Sequence, residues 1–295
     1  MKNRIYCGDN LPILQNMADG SVNLIYIDPP FNTGKRQKRT QIKTTISLKG
    51  DRFGFKGNKY KTIRLGTKEY NDVFVNYDDY YEFLTPRLEE AKRILSPTGT
   101  LYFHIDYREV HYCKLLLDQI FGRECFLNEI IWAYDYGGKA KNKWPAKHDN
   151  ILVYVKNPKK YIFNVDEIDR IPYMAPNLVG PEKAARGKLP TDTWWHTIVA
   201  TNGTEKTGYP TQKPLAIIDR IVTASSNPGD LLLDFFAGSG TTGASCIKLD
   251  RRFILIDKGL QAMEVMVKRF AKVPNLEWIG YDPKRVKKTI AGKNG

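Results

Sequence analysis

The chain has 295 residues, 42% of them hydrophobic, enough for one large domain or one domain with a sizeable insertion. Its formal charge of +14, from 46 Lys and Arg against 32 Asp and Glu, points to a polyanionic partner, with nucleic acid ahead of a membrane surface. No apolar run approaches the ~20 residues of a spanning helix, and neither a lipidation signal nor an apolar signal core appears, so a cytoplasmic protein with no membrane partner is expected.

In chain order, "RIYCGD" reads as a short strand and "NLPILQNMA" as a helix with Leu11, Leu14 and Met17 near one face. "DGS" turns the chain into the strand "VNLIYI", whose consecutive apolar residues suit a parallel strand covered on both faces. "IDPPFNTGK" follows directly. Two prolines cannot continue a sheet ladder, so the strand must stop with Asp28, Pro29, Pro30 and Phe31 at its end. A strand-ending turn and a pocket for a flat, polar-edged ring both remain open at this point.

From Gly34 to Asn76 the periodicity fails, and twelve Lys or Arg stand against Asp51, Glu69 and Asp72. A mobile basic loop over 34–77, with room for a hairpin, is expected. "YDDYYEFLTPRLEEAKRIL" restores helical spacing through Tyr80, Phe83, Leu84, Leu88, Ala91 and Leu95, with Pro86 as a kink or a boundary. "SPTG" stops that helix. "TLYFHI" is a strand, "REVHYCKLLLDQIFG" a helix ending at Gly122, and "NEIIWAY" and "NILVYVKN" further strands. Short turns joining α and β segments predict a doubly wound, mostly parallel α/β sheet with right-handed crossovers.

Residues 158–208 lose periodicity again and carry "TDTWWHT", which fits a small recognition insertion between a main domain built from 1–157 and 209–295. "KPLAIIDRIVTAS" is an amphipathic helix opened by Pro214, "LLLDFFAGSGTTGASCIKL" gives strand, glycine loop and helix, and "RRFILID" is another strand. The four cysteines and four histidines show no ligand spacing, which argues against a disulfide frame and against a metal site.

Gly238, Gly240 and Gly243 match the dinucleotide fingerprint, with a strand before them, a helix after them and Asp257 one strand further on. Such glycines let a ligand approach the backbone, the helix start favours its anionic end, and the acid can accept from ribose hydroxyls. A nucleoside-containing cofactor is expected. A nicotinamide-dependent oxidoreductase is the alternative from another class, but too little chain follows Asp257 for its usual further βα units. The missing strands must then come from the N-terminal half, placing "DPPF" on the same sheet rim as the glycine loop.

With "DPPF" early and "YPTQKPLAIIDRIV" then "LLLDFFAGSGTT" late, the chain resembles the β class of S-adenosylmethionine-dependent DNA amino-methyltransferases, in which the catalytic motif precedes the cofactor motif. "GDN", "HID", "NEIIWAY" and "HDNILVYVKN" extend the resemblance over nearly the whole chain. It is locally similar to type III modification subunits too, but those are longer, and a solitary or type II restriction-modification enzyme fits better. The resemblance implies a Rossmann-like methyltransferase fold in circularly permuted order. It also implies S-adenosyl-L-methionine as cofactor and the N6 amine of an adenine flipped out of double-stranded DNA as target. Asp at the first position of the tetrapeptide is typical of adenine enzymes and Ser of cytosine-N4 enzymes; cytosine N4 and RNA stay as alternatives.

An exocyclic amine is a poor nucleophile because its lone pair is delocalised into the ring. Acceptors for its hydrogens help it attack a sulfonium methyl, and the Asp28 carboxylate and Pro29 carbonyl suit that work. By the resemblance, Phe31 stacks on the base and Pro30 fixes the turn. Asp234, Phe236, Ala237, Gly238, Ser239 and Gly240 wrap the methionine and sugar of the cofactor, and Asp257 takes the ribose. Asp9 approaches the adenine, and Thr211 and Lys213 hold the carboxylate. Charge points to Lys35, Arg36, Lys38 and Arg39 as phosphate contacts and to 158–208 as the base reader, with Trp194 and Trp195 divided between core and DNA. A cognate restriction endonuclease and a homodimer are the remaining partner expectations.

Overall fold

The computed structural model describes residues 2–30, 35–46, 52–53, 59–72, 77–135, 140–200 and 203–284. Its elements run β1 (Arg4–Cys7), α1 (Asn10–Gln15), β2 (Val22–Ile27), β3 (Lys35–Ile46), β4 (Arg52–Phe53), β5 (Lys59–Asp72), α2 (Tyr77–Ile94), β6 (Leu95–Asp106), α3 (Val110–Phe121) and β7 (Phe126–Ala133). They continue with β8 (His148–Val155), α4 (Pro181–Arg186), β9 (Thr193–Trp195), α5 (Leu215–Ser225), β10 (Leu231–Asp234), α6 (Thr241–Lys248), β11 (Arg252–Asp257), α7 (Leu260–Arg269) and β12 (Glu277–Ile279). The chain divides into two units, Met1–Pro29 with Glu82–Gly295, and Pro30–Tyr81.

The first unit holds a nine-stranded sheet in the order β12-β1-β11-β10-β2-β6-β8-β7-β9. Neighbours from β12 through β6 pair in parallel, as does β7 with β9, whereas β8 is antiparallel to both β6 and β7. The sheet is thus the expected mostly parallel α/β sheet with a reversed strand inside it. The reversal has a local cause: no helix is described between β7 and β8, and without a crossover the chain returns antiparallel. β2 and β10 are buried along almost their whole length, because helices cover both faces. One face packs Leu24, Tyr26, Trp132, Ile151, Leu232 and Leu255 against Ile217, Ile221, Met263 and Met266 of α5 and α7. Pro86 lies inside α2 instead of ending it, and Gly122 closes α3 at φ 97°.

Residues 158–200 and 203–208 are part of the first unit. Their β9 extends the sheet beside β7, and Asn164 ties them to the end of α5 through the carbonyls of Thr223 and Ser226 at 3.1 and 2.9 Å. In the second unit β3 and β5 form a long antiparallel pair, with β4 on β5. The stretch expected as a loop with room for a hairpin therefore holds regular strands where it is described. Thr40, Ile42, Thr44, Thr45 and Ile46 give β3 the branched residues that favour a strand, under a basic composition that concealed them.

Candidate active site

Parallel neighbours present their carboxyl ends on one rim, where ligands of open α/β sheets gather. On this rim β1, β11, β10 and β2 deliver Asp9, Asp257, Asp234 and Asp28 in the order of the strands. Acids from the two ends of the sequence thus converge, Asp28, Asp234 and Asp257 because each ends or directly follows a buried apolar strand, and Asp9 because it follows β1 by two residues.

The glycine loop joins β10 to α6. Gly238 and Gly240 adopt φ of +50° and +73°, which side-chain-bearing residues rarely do. A Cβ on Gly240 would stand 2.9 Å from Met266 and Phe270, so the loop also depends on close packing against α7. Two acids fasten the loop from below. Asp234 accepts from the Phe236 amide at 3.0 Å and the Thr242 hydroxyl at 2.7 Å. Asp257 accepts from the Gly238 amide at 2.8 Å and the Gly259 amide at 2.7 Å. Burial pushes the Asp234 carboxyl up to about 7, with Asp28 and Asp257 adding to it and the two donors opposing it. Burial likewise raises Asp257, against its two amide donors. Ala237 is buried and Phe236 half-buried, and the Ser239 hydroxyl lies 3.0 Å from that of Thr241.

Asp9 caps α1 through the Leu11 amide at 3.0 Å and pairs with Arg87 at 2.9 Å, while its side chain stays 57% exposed. Burial works against its charge, but the amide and the guanidinium outweigh that and hold the carboxyl below its ordinary range. Arg87 also donates to Asn10 at 2.6 Å, and Asn10 to the Phe235 carbonyl at 2.7 Å, so the first strand tip and the glycine loop are joined. The Arg87 guanidinium lies 3.9 Å over the Phe83 ring, whose centroid is 6.0 Å from that of Phe236.

Asp28 forms an ion pair with Lys213, both side chains being largely buried. The other Asp28 oxygen, Oδ1, is buried and has no hydrogen-bond partner among the described residues. Lys213, expected at the cofactor carboxylate, is therefore directed at the catalytic-motif acid, and its carbonyl accepts from Thr241 at 3.3 Å. Gln212 fixes the preceding turn by accepting from the Thr207 amide at 2.8 Å and donating to the Glu205 carbonyl at 2.7 Å. Thr211 is exposed.

Pro29 is buried, and in the second unit the Pro30 carbonyl accepts from the Tyr80 hydroxyl at 2.7 Å. Phe31 lies outside the described residues. Lys35, Arg36, Lys38 and Arg39 lie on β3. Trp194 is buried, with its indole N–H on the Thr191 carbonyl at 2.8 Å and Arg220 over its ring, whereas Trp195 is 78% exposed.

Sequence reasoning missed Asn10, Arg87 and Arg269. Arg269 donates to the Ser239 carbonyl at 2.8 Å and to the Thr241 hydroxyl at 3.1 Å, and burial lowers it to about 10. It also missed a buried chain in which the Tyr26 hydroxyl meets His104 Nδ1 at 2.8 Å, His104 Nε2 meets Asp149 at 3.2 Å, and Tyr134 donates to Asp149 at 3.0 Å. The polar residues inside the apolar strands "TLYFHI" and "NILVYV" and their flanks were the available signal.

A family model described as DNA methylase matches residues 22–268. Over 286 residues the chain is 33% identical to the type II methyltransferase M.HpaI of Haemophilus parainfluenzae, spanning 96% of this chain and 77% of the relative. Over 275 residues it is 30% identical to the DNA adenine methyltransferase YhdJ of Escherichia coli K12, spanning 89% and 80%. The crystal structure of the M1.HpyAVI–SAM complex shares the fold, with a TM-score of 0.55 at 22% identity over 90% of this chain and 98% of that one.

Proposed function

The chain belongs to the N6_N4_Mtase family of DNA methylases, and from that premise we propose that it transfers the methyl group of S-adenosyl-L-methionine to the N6 amine of an adenine in double-stranded DNA. The observation that carries the reading is Asp28, set on the rim it shares with the glycine loop, paired with Lys213 through one oxygen and leaving the other buried, with no hydrogen-bond partner among the described residues. A buried carboxylate oxygen without a donor is costly unless a ligand supplies one. An amine N–H is such a donor.

The rim also suits the cofactor. Gly238 and Gly240 open the backbone at the start of α6, next to four rim acids of which Asp9 is paired with Arg87 and Asp28 with Lys213. When bound, S-adenosyl-L-methionine supplies a methyl group made electrophilic by its sulfonium. Phe236, Ala237, Gly238, Ser239 and Gly240 hold its methionine and sugar portions, over Asp234 and Asp257, which shape the loop, with Asp257 also facing the ribose. Asp9, exposed and fixed by Arg87, takes the adenine, and Thr211 and Lys213 take the carboxylate.

Asp28 and the Pro29 carbonyl draw the hydrogens of the target amine and so restore its lone pair, after which Asp28 receives the proton released by the methylated nitrogen. Pro30 keeps the turn and Phe31 stacks on the base. Lys35, Arg36, Lys38 and Arg39 grip phosphates and 158–208 reads bases, a division supported by charge and by exposed Trp195.

Adenine is preferred to cytosine because Asp, not Ser, opens the tetrapeptide, and the name of the Escherichia coli relative agrees. Among the described residues no helix is long and apolar enough to cross a membrane. With the type II name of M.HpaI, this supports a cytoplasmic enzyme working beside a cognate restriction endonuclease; light scattering distinguishes monomer from homodimer. The test of the function is incubation with labelled S-adenosyl-L-methionine and unmethylated plasmid DNA, followed by nucleoside digestion. N6-methyladenine is expected, N4-methylcytosine would move the target to cytosine, and no transfer to DNA would overturn the reading.

A further inference from the structure

The chain between β7 and β8 leaves and re-enters the sheet on the catalytic rim. β7 runs in the same direction as β6 and β2, being two antiparallel steps from β6 through β8. Its neck is closed by the Tyr134 amide on the Lys147 carbonyl at 2.9 Å and by the pairing of Ala133 with His148. Below the neck, the buried chain Tyr134–Asp149–His104–Tyr26 ties it to β2 two residues before Asp28. Segment 140–147 therefore has a fixed root relative to the catalytic acid.

Its outer part is built for a different purpose from the root. Trp144 is 97% exposed and, among the described residues, packs against no other ring. Lys141 and Lys143, both exposed, stand just before it and Pro145 just after it. Nothing in the fold requires a tryptophan there. An aromatic set among lysines matches the two faces of nucleic acid, phosphates outside and base planes within.

Three strand spacings of about 4.8 Å separate β2 from β7, so the root lies ~14 Å along the rim from the tip of β2. That is about four base pairs at ~3.4 Å each, well inside the footprint of one bound duplex. We propose that 140–147 is a DNA-contacting element separate from the basic β3 and the 158–208 segment, in which Lys141 and Lys143 pair with phosphates and Trp144 stacks on bases flanking the target. It rests on the reading above only in that DNA is the substrate.

The test uses the full chain and a duplex carrying the site mapped by sequencing methylated plasmid DNA. Equilibrium binding is followed by fluorescence anisotropy over a range of salt. Trp144→Ala should weaken binding about tenfold or more, and Trp144→Phe should keep most of the affinity, since a ring is retained. Lys141→Gln with Lys143→Gln should lower the slope of log K against log salt by about 2, because two phosphate contacts are lost.

Melting temperature and cofactor affinity should stay at wild-type values in all three variants. A duplex bound by Trp144→Ala as tightly as by wild type overturns this inference alone, as does a shift of its elution from dimer to monomer, which would make Trp144 a self-association contact. A duplex that the wild-type chain fails to bind overturns this inference and the methyltransferase reading together.

Discussion

Asp234→Asn isolates the electrostatic cost of the glycine loop. In the folded chain the Asp234 carboxyl is pushed from its ordinary 3.8 up to about 7, chiefly by burial, with Asp28 and Asp257 as like-charged neighbours. A raised folded-state value means stabilisation fully present below 3.8 and lost as the pH rises through about 7. Each pH unit in that window costs about 1.4 kcal/mol, or roughly 4 kcal/mol in all. Asparagine carries no charge and can keep both contacts: its carbonyl accepts from the Phe236 amide, and its N–H donates to a Thr242 hydroxyl turned to accept.

The stability of Asp234→Asn relative to wild type should therefore climb by roughly 2 kcal/mol between pH 5 and 7 and level off by about pH 8. Urea unfolding of both proteins at unit steps of pH reads this directly, and the comparison removes groups common to both. A difference that stays constant with pH would refute the reasoning. A sulfonium ligand inverts the preference, because its charge favours the ionised acid. Wild-type affinity for S-adenosyl-L-methionine should rise as the pH passes about 7, and the Asn variant should bind more weakly with little pH dependence.

Asp28→Ala should lower methyl transfer by about 10²-fold or more while leaving the cofactor dissociation constant within about twofold; equal turnover in a filter-binding assay would contradict the amine-acceptor role. Arg87→Met removes donors from Asp9, Asn10 and the Phe83 carbonyl, with an expected stability loss of about 2 kcal/mol and weaker cofactor binding by calorimetry; unchanged affinity would disconnect Arg87 from the site. Gly240→Ala meets both an unfavourable φ and contacts at 2.9 Å with Met266 and Phe270, so denaturant unfolding should show a loss of about 2 kcal/mol, and a wild-type midpoint would show that α7 yields readily.

The acid-lined rim was legible because its signals are local. Asp28, Asp234 and Asp257 each end or directly follow a run of buried apolar residues, and the rule that ligands gather at carboxyl ends then brings them together without knowledge of any contact. What supports them was not legible, since it is made across long separations. Arg87 comes from the middle of α2, where a basic residue reads as solvated surface, and reaches Asn10 and Asp9 only once α2 packs on the sheet. Arg269 lies in α7, beyond the last strand whose pattern was recognised. The reversed β8 was hidden for another reason: an apolar run shows that a strand is buried, not which way it runs, and its direction follows from the connection before it.

Lys213 shows where the two kinds of information meet. The resemblance assigned it to the cofactor carboxylate, while the fold directs its ammonium, across 185 residues, onto Asp28. Were the cofactor carboxylate to reach Lys213 as well, one lysine would couple the negative end of the cofactor to the proposed amine acceptor, which would give a physical reason for "PTQKP" and "DPPF" to occur in one chain.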